Sequence, residues 1–174
     1  MLKNINNLLL FMRNVFVIIL MMFFSGCWIY SFSGVNLGNA KTVSFAYFDN
    51  TANIVNPGLS QELYEEMYDR FVSQTPLEYE QRDGDISFVG KIIGYDIKPI
   101  DIKAGETAAY NRLTVSVKIE YINFTNPKQN SEKTYSWYSD FETSKNLSDV
   151  EDELTEEIVK KIVDDLFNSS VVNW

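Results

Sequence analysis

The chain has 174 residues, 45% of them hydrophobic, which is enough for one domain with a real core preceded by a leader. Its formal net charge is −9, and the first 26 residues carry two bases and no acids, so the remaining 13 bases and 24 acids give −11. This negative field opposes binding to nucleic-acid phosphates. One cysteine and no histidine exclude an internal disulfide and a Cys/His zinc site. We therefore expect no nucleic-acid partner, no metal and no cofactor.

The first 26 residues have the layout of a secretory signal. Lys3 and Arg13 supply positive charge, residues 15–24 form a short apolar run, and the small pair "SG" precedes Cys27. A retained membrane span is the alternative interpretation. It is the weaker one, because Arg13 interrupts the apolar stretch and a span needs about 20 apolar residues.

The stretch "FFSGC" that ends at Cys27 resembles a bacterial lipobox, although Phe24 stands where leucine is more usual. In a lipobox the cysteine is linked to diacylglycerol, becomes the first residue of the mature protein and is then N-acylated. Each buried acyl methylene contributes about 0.8 kcal/mol, so two or three chains on Cys27 would hold the protein at a membrane without a spanning helix. We expect a signal peptide at 1–26, a lipidated segment at 27–40 and a folded domain at 41–174.

The domain is predicted to begin with the strand "KTVSFAYF" at 41–48, which is rich in Val, Phe and Tyr. A loop of turn formers follows, in which Asn56 and Pro57 are placed to cap and start a helix. Apolar residues then recur every four positions on one helix face: Leu59, Leu63, Met67 and Phe71. Proline cannot continue helical hydrogen bonding, so Thr75-Pro76 ends this helix.

Three strands are predicted next. The first, at 83–100, alternates imperfectly, which is compatible with cover on both faces, and its Gly90 and Gly94 indicate a bulge or bend. The second, at 112–121, alternates cleanly. Its apolar face carries Leu113, Val115, Val117, Ile119 and Tyr121. The third, at 132–141, carries Tyr135, Trp137 and Phe141 on one side.

The last predicted element is a helix. Ser148 and Glu151 match the capping-box pattern S-x-x-E, and acidic residues crowd the first turn, where the helix dipole favours them. The expected buried stripe consists of Leu147, Val150, Leu154, Ile158, Ile162 and Leu166.

The predicted order of elements is β-α-β-β-β-α. A helix between the first two strands is a crossover, and strands joined in this way are nearly always parallel and right-handed. The expected fold class is α+β, a two-layer sandwich in which two helices cover one face of a four-stranded mixed sheet.

No residue pattern indicates an enzyme. Without histidine there is no Ser-His-Asp or Cys-His arrangement, and no phosphate-binding glycine loop is present. Acids are plentiful, but they cluster on the exposed face of the last helix, where charge usually only solvates a surface. A lipid-anchored hydrolase that uses carboxylates remains an alternative, and it requires acids that converge in a cleft.

The ordered blocks "CWIYSFSG", "YFDN…VNPGLSQEL", "GYDIKPI", "NRLTVSVKIEY" and "VEDELTEEIVKKIVDDLFN" together resemble the LptE family. This is the outer-membrane lipoprotein family of the lipopolysaccharide assembly machinery, here in its Bacteroidetes and flavobacterial form. The resemblance covers essentially all of the chain after the leader. None of the blocks is a catalytic signature, so the likeness lies in their order and spacing.

The resemblance implies the same two-layer fold and a specific partner. That partner is the large lipopolysaccharide-translocating outer-membrane β-barrel (LptD-type), which an LptE protein plugs and helps to assemble, so that lipopolysaccharide reaches the outer leaflet. The implied location is the periplasmic side of the outer membrane. A generic periplasmic adaptor, or a pilotin-like lipoprotein for another outer-membrane pore, is the alternative.

Direct binding of lipopolysaccharide would need cations for its phosphates. Candidates at the strand ends and in the connecting loop are Lys98, Lys103 and Arg112. The net charge of −11 works against this binding, because an acidic domain and an acidic lipid repel each other within a Debye length of about 10 Å at 0.1 M salt.

Overall fold

The computed structural model describes residues 37–100 and 109–171, together with Met12 as an isolated residue. Cys27 and Lys103 lie outside the described residues. None of the helices within the described ranges is long and apolar enough to cross a membrane. In chain order the elements are β1 (Thr42–Phe45), β2 (Asp49–Asn50), α1 (Leu59–Gln74), β3 (Glu78–Tyr79), β4 (Ile86–Ile100), β5 (Tyr110–Asn123), a short 3-10 turn (Pro127–Gln129), β6 (Ser131–Glu142) and α2 (Leu147–Ser170).

These elements confirm the α+β class with two helices and one mixed sheet. The strand order is β3-β1-β4-β5-β6, with β2 beside β4. As predicted for a crossover, β1 and β4 are parallel, whereas β4, β5 and β6 run antiparallel to their neighbours. The four predicted strands are β1, β4, β5 and β6. The two-residue strands β2 and β3 extend the sheet and are too short to leave a sequence pattern.

The core lies between the helices and one face of the sheet. From α1 it takes the four residues predicted from their spacing, and from β5 the five predicted from their alternation, all of them buried. Aromatic rings fill its centre, where the ring centroid of Phe88 lies 4.7 Å from Phe71, 5.8 Å from Phe45 and 5.4 Å from Tyr121. Phe71 also meets Phe167 of α2 at 5.2 Å, so one ring cluster joins the sheet to both helices.

The imperfect alternation of β4 comes from a bulge and not from cover on both faces. Ile86, Phe88 and Ile92 are buried at even positions, but beyond a register shift between Ile92 and Gly94 the buried residue is Tyr95. A bulge inserts one unpaired residue and so reverses which side of the sheet each later residue faces. The predicted irregularity near Gly94 is confirmed.

Gly90 serves a different purpose from the bulge. A Cβ atom at this position would lie 2.3 Å from the Lys118 backbone oxygen and 2.9 Å from the Phe48 ring. Only glycine therefore allows β4 and β5 to approach each other here without displacing the backbone.

The two predicted helix starts need correction. The capping box at Ser148 and Glu151 is wrong, because α2 starts one residue earlier, at Leu147, with Asn146 as its N-cap. At the start of α1, Pro57 lies outside the helix, which begins at Leu59.

The N-cap of α1 is Gly58 and not the predicted Asn56, but the Asn56 side chain does bind the backbone at the helix start. Its Oδ1 accepts hydrogen bonds from the backbone N–H of Gly58 at 2.8 Å and of Leu59 at 3.1 Å. Two of the unpaired donors at the helix start are thereby satisfied.

Replacement of Phe88 by alanine should lower the free energy of unfolding by about 3–5 kcal/mol, because it removes the ring at the centre of the aromatic cluster and leaves a cavity. Denaturant unfolding, followed by tryptophan fluorescence, measures this loss. Tyr47→Ala is the matched control: its ring is 62% exposed, and the expected change is below about 0.5 kcal/mol. Equal effects of the two variants would contradict this placement of the core.

Candidate functional site: the open face of the sheet

The sheet face that the helices leave uncovered, called the open face below, carries most of the charged side chains of the long strands. Within β4, β5 and β6 five acidic and five basic residues balance to zero. The helices differ sharply. Helix α1 contains four acids and one base, and α2 contains eight acids and two bases, which gives the helix layer a charge of −9. The negative charge of the protein is thus concentrated in one of its two layers.

Two of the three predicted lipopolysaccharide-binding residues meet on the open face. Lys98 of β4 stands directly opposite Arg112 of β5, and Arg112 stands opposite Asp140 of β6. The guanidinium binds Asp140 through two hydrogen bonds, Nε to Oδ1 at 2.7 Å and Nη2 to Oδ2 at 2.8 Å. It also lies 3.5 Å above the centre of the Tyr138 ring. Asp140 therefore neutralises Arg112 and raises its pKa above the ordinary value.

A second pair of cations repeats this arrangement towards the other end of the strands. Lys91 of β4 stands opposite Lys118 of β5, and the Lys118 ammonium binds the Glu132 carboxylate of β6 at 2.7 Å. Together with Val89, Gly90 and Glu120, these residues line a shallow groove of about 280 Å³. Like charges directly opposite each other destabilise a sheet, and an acid on β6 relieves the repulsion in both pairs.

In each pair the β5 cation is bound by an acid of β6, whereas the β4 lysine is not. Lys98 and Lys91 are both exposed and both lie on the open face. Sequence reasoning missed Lys91, Lys118 and the two β6 acids. The alternation of 112–121 does put Arg112 and Lys118 on the same side, but their neighbours follow only from the register between strands.

A polar link joins the start of α1, strand β4 and helix α2. The Glu151 carboxylate accepts hydrogen bonds through one oxygen, Oε1, from the Tyr95 hydroxyl at 2.5 Å and from Asn56 Nδ2 at 2.9 Å. Burial and the neighbouring carboxylate raise the pKa of Tyr95 far above its ordinary value, so the phenol stays protonated and keeps donating. Because Asn56 also binds the backbone N–H groups at the start of α1, this one carboxylate connects the starts of both helices.

The side of the helix layer where α1 and α2 meet is crowded with acids. Burial raises the pKa of Glu62 above its ordinary value, and the nearby carboxylates of Glu66, Asp152 and Glu156 raise it further, while a hydrogen bond from Thr155 acts the other way. Within residues 37–100 and 109–171, however, no group of three or more Cys, Asp or Glu side chains is arranged to hold a metal ion.

Comparison with known proteins decides the family. A sequence model of LptE, described as lipopolysaccharide-assembly, matches residues 40–170, a range that contains every strand and helix listed above. The chain belongs to the LptE family. Its role is accordingly in lipopolysaccharide assembly, and the LptE family is a non-enzymatic one. No curated protein sequence matches this LptE chain significantly.

Solved structures similar to this LptE chain include a minor lipoprotein from Acinetobacter baumannii, with 11% identity, a TM-score of 0.48, and cover of 75% of this chain and 93% of that one. The PelC dodecamer from Paraburkholderia phytofirmans gives 12% identity and a TM-score of 0.48, with cover of 81% and 96%. Lipoprotein GNA1162 from Neisseria meningitidis gives 10% identity and 0.42, with cover of 74% and 99%. Because the sequence identities are low and the TM-scores are below 0.5, we infer nothing about the function of the LptE chain from these structures.

Replacement of Glu62 by glutamine should stabilise this LptE protein at pH 7 and flatten its response to pH. A carboxyl with a raised pKa in the folded state adds stability below its unfolded pKa of about 4.5, and this stability is lost as pH rises through the folded pKa. As pH falls from 7 towards 4.5, the free energy of unfolding of the wild type should therefore rise relative to that of the variant. Thermal unfolding at several pH values measures the difference.

Glu65→Gln is the matched control, because Glu65 lies in the same helix with its side chain exposed. It removes the same charge, and its stability should depend on pH in the same way as that of the wild type across this range. If the two glutamine variants behave alike, burial of Glu62 between the helices does not govern the response.

Proposed function

We propose that this LptE protein is a non-enzymatic outer-membrane lipoprotein that plugs the lipopolysaccharide-translocating β-barrel from the periplasmic side and helps the barrel to assemble. In this role it aids the insertion of lipopolysaccharide into the outer leaflet. The observation that carries the proposal is the family match over residues 40–170, which spans both layers of the domain.

The surface of the domain supports a role as a plug. Large barrels have a wide polar lumen, and an occupant needs a polar exterior and no belt of lipid-facing side chains. The open face meets this requirement, because acids and bases alternate across it and form ion pairs such as Arg112–Asp140 and Lys118–Glu132. Its exposed apolar residues, among them Val89 and Ile93, are set among charged neighbours.

Lipidation of Cys27 is the second part of the proposal. The lipobox-like sequence, with two or three acyl chains on this cysteine, would tether the domain beside the barrel and leave both of its layers available.

Contact with lipopolysaccharide phosphates is the third part. We assign it to Lys98 and Arg112 on the open face, with Lys103 in the segment between β4 and β5, and we add Lys91. Of these, Lys98 is the strongest candidate, because it is exposed, stands directly opposite Arg112 and is bound by no acid of β6. Arg112 must first be released from Asp140 before it can bind a phosphate.

Affinity purification of the full-length protein from detergent-solubilised envelopes tests the partner. A co-eluting large β-barrel, identified by mass, is the expected result. If a different outer-membrane pore elutes with the protein, the generic adaptor or pilotin-like function replaces the plug.

The variant Cys27→Ala should abolish acylation and remove the protein from the outer-membrane fraction, and the barrel should no longer co-purify with it. Intact-mass measurement of the wild type should give a chain that begins at residue 27 and carries acyl chains. Ser31→Ala, four residues further on, is the control and should keep the modification. A wild-type chain with residue 27 unmodified and the leader still attached would contradict the tether.

The variant Lys98→Ala should weaken binding of purified lipopolysaccharide about fivefold, as expected for one exposed ionic contact. Asp140→Ala should strengthen binding, because it releases the Arg112 guanidinium. Both effects should shrink at high salt. Titration of lipopolysaccharide into the purified protein, followed by calorimetry, measures them.

Lys128→Ala is the control for Lys98, since it removes the same charge from the exposed turn between β5 and β6. It should leave the affinity unchanged. Equal losses for Lys98→Ala and Lys128→Ala would mean that only net charge matters and that the open face holds no site.

A further inference from the structure

Among the described residues, one long edge of the sheet has backbone groups without a neighbouring strand. In the described part of the chain, β6 pairs with β5 alone, along all 12 of its residues and without a bulge. Just beyond its end, the Thr143 N–H donates to the Ala109 oxygen at 3.0 Å. Hydrogen-bonded pairs alternate along antiparallel strands, so the odd-numbered residues of β6 bond to β5. The even-numbered residues direct their N–H and C=O groups away from β5: Glu132, Thr134, Ser136, Tyr138, Asp140 and Glu142. Of these groups, the Glu142 oxygen already accepts a hydrogen bond from the Lys145 N–H at 3.0 Å.

The other described edges are short or protected against pairing. At the opposite side of the sheet, β3 has only two residues. Beyond its contact with β2, strand β4 carries the bulge and then Pro99, which lacks an N–H at an outward-facing position. These are the features by which proteins block unwanted strand addition. By contrast β6 has no proline or glycine, and its central "TYSWYS" is uncharged and favours extended structure.

An acidic groove runs beside the C-terminal half of this edge. It has a volume of about 260 Å³ and lies on the helix side of the sheet, between β6 and the first half of α2. Phe141 and Leu154 contribute apolar surface to it. This groove is called the edge groove below. Its charged lining consists of four acids and one base: Asp140, Glu142, Glu153, Glu157 and Lys145.

We propose that the β6 edge binds an extended segment of a partner protein, which adds to the sheet as a further strand and places an Arg or Lys side chain in the edge groove. Backbone hydrogen bonds to the even-numbered residues would supply affinity, and the side chains of the added strand would supply selectivity. Side chains alternate along a strand, so the residue that pairs near Ser139 or Phe141 points to the helix side, where the groove lies.

The charges of the edge favour a basic partner over a second copy of this chain. Two β6 edges paired antiparallel would put their two α2 helices, each with eight acids and two bases, on the same side of one continuous sheet. An incoming segment with a cation at this position relieves that charge instead. Asp140, which binds Arg112, is shared with the open face, whereas Glu153, Glu157 and Lys145 belong to the edge groove alone. The proposal does not depend on the barrel.

The test uses full-length protein in detergent and two synthetic ten-residue peptides. Both alternate Thr and Val. One carries Arg at two helix-facing positions near one end, and the other carries Glu at the same positions. Fluorescence anisotropy measures affinity, and amide hydrogen exchange locates the binding site. The Arg peptide should bind at least about tenfold more tightly than the Glu peptide at low salt, with a difference that narrows as salt is added.

Amide exchange gives the sharper readout. In the free protein the N–H groups of Thr134, Ser136 and Tyr138 should exchange quickly, while those of Tyr135 and Trp137 are protected by β5. The Arg peptide should slow exchange at the three even-numbered residues. Glu153→Gln combined with Glu157→Gln should remove most of the preference for Arg over Glu while the protein still binds both peptides.

Thr134→Pro removes one outward N–H and should abolish peptide binding. The matched control Thr134→Ala changes the same side chain, keeps the N–H, and should bind within about twofold of the wild type. Thermal unfolding shows whether the proline variant is folded. If it is not, the exchange pattern of the wild type decides the question without it.

Three outcomes would overturn the proposal. In the first, the even-numbered amides are already protected in the free monomer, which means that another part of the same chain covers the edge. In the second, sedimentation shows that the protein dimerises through this edge, so a second copy is the occupant. In the third, the peptides bind equally well or bind without slowing exchange along β6.

Discussion

The register between β4 and β5 is the constraint on which the rest of the structure depends. Up to Ile92 the even-numbered residues of β4 face the helices, and beyond the bulge the odd-numbered residues do. Without this extra residue, Lys98 would point into the core and Tyr95 would point away from it. Gly90 allows the two backbones to approach closely enough for this register to persist along both strands.

The same bulge determines two features of function and architecture at once. On one side of the sheet it brings Tyr95 to Glu151. The Glu151 carboxylate also binds Asn56, and it thereby fixes the starts of both helices relative to β4. On the other side it sets Lys98 opposite Arg112. A local irregularity in one strand therefore positions both the helix layer and the cations of the open face.

Local patterns in the sequence were sufficient to predict the class, the order of the elements and most of the core. The spacing of four in α1 and the alternation in β5 predicted the buried residues correctly, because each pattern reflects a single buried face. The capping box failed because Glu151, which the pattern assigns to its own helix start, instead binds Tyr95 and Asn56 from distant parts of the chain. The ion pairs of Arg112 and Lys118 escaped prediction for a related reason: they join residues whose proximity depends on strand register.

The division of charge between the two layers makes the molecule an electric dipole directed through its thickness. A body of this kind does not approach an anionic surface at random. Once within about a Debye length, roughly 8 Å at physiological ionic strength, it experiences a torque that turns the helix layer away and presents the neutral sheet. An anionic surface would thus orient the domain before any side chain touches it.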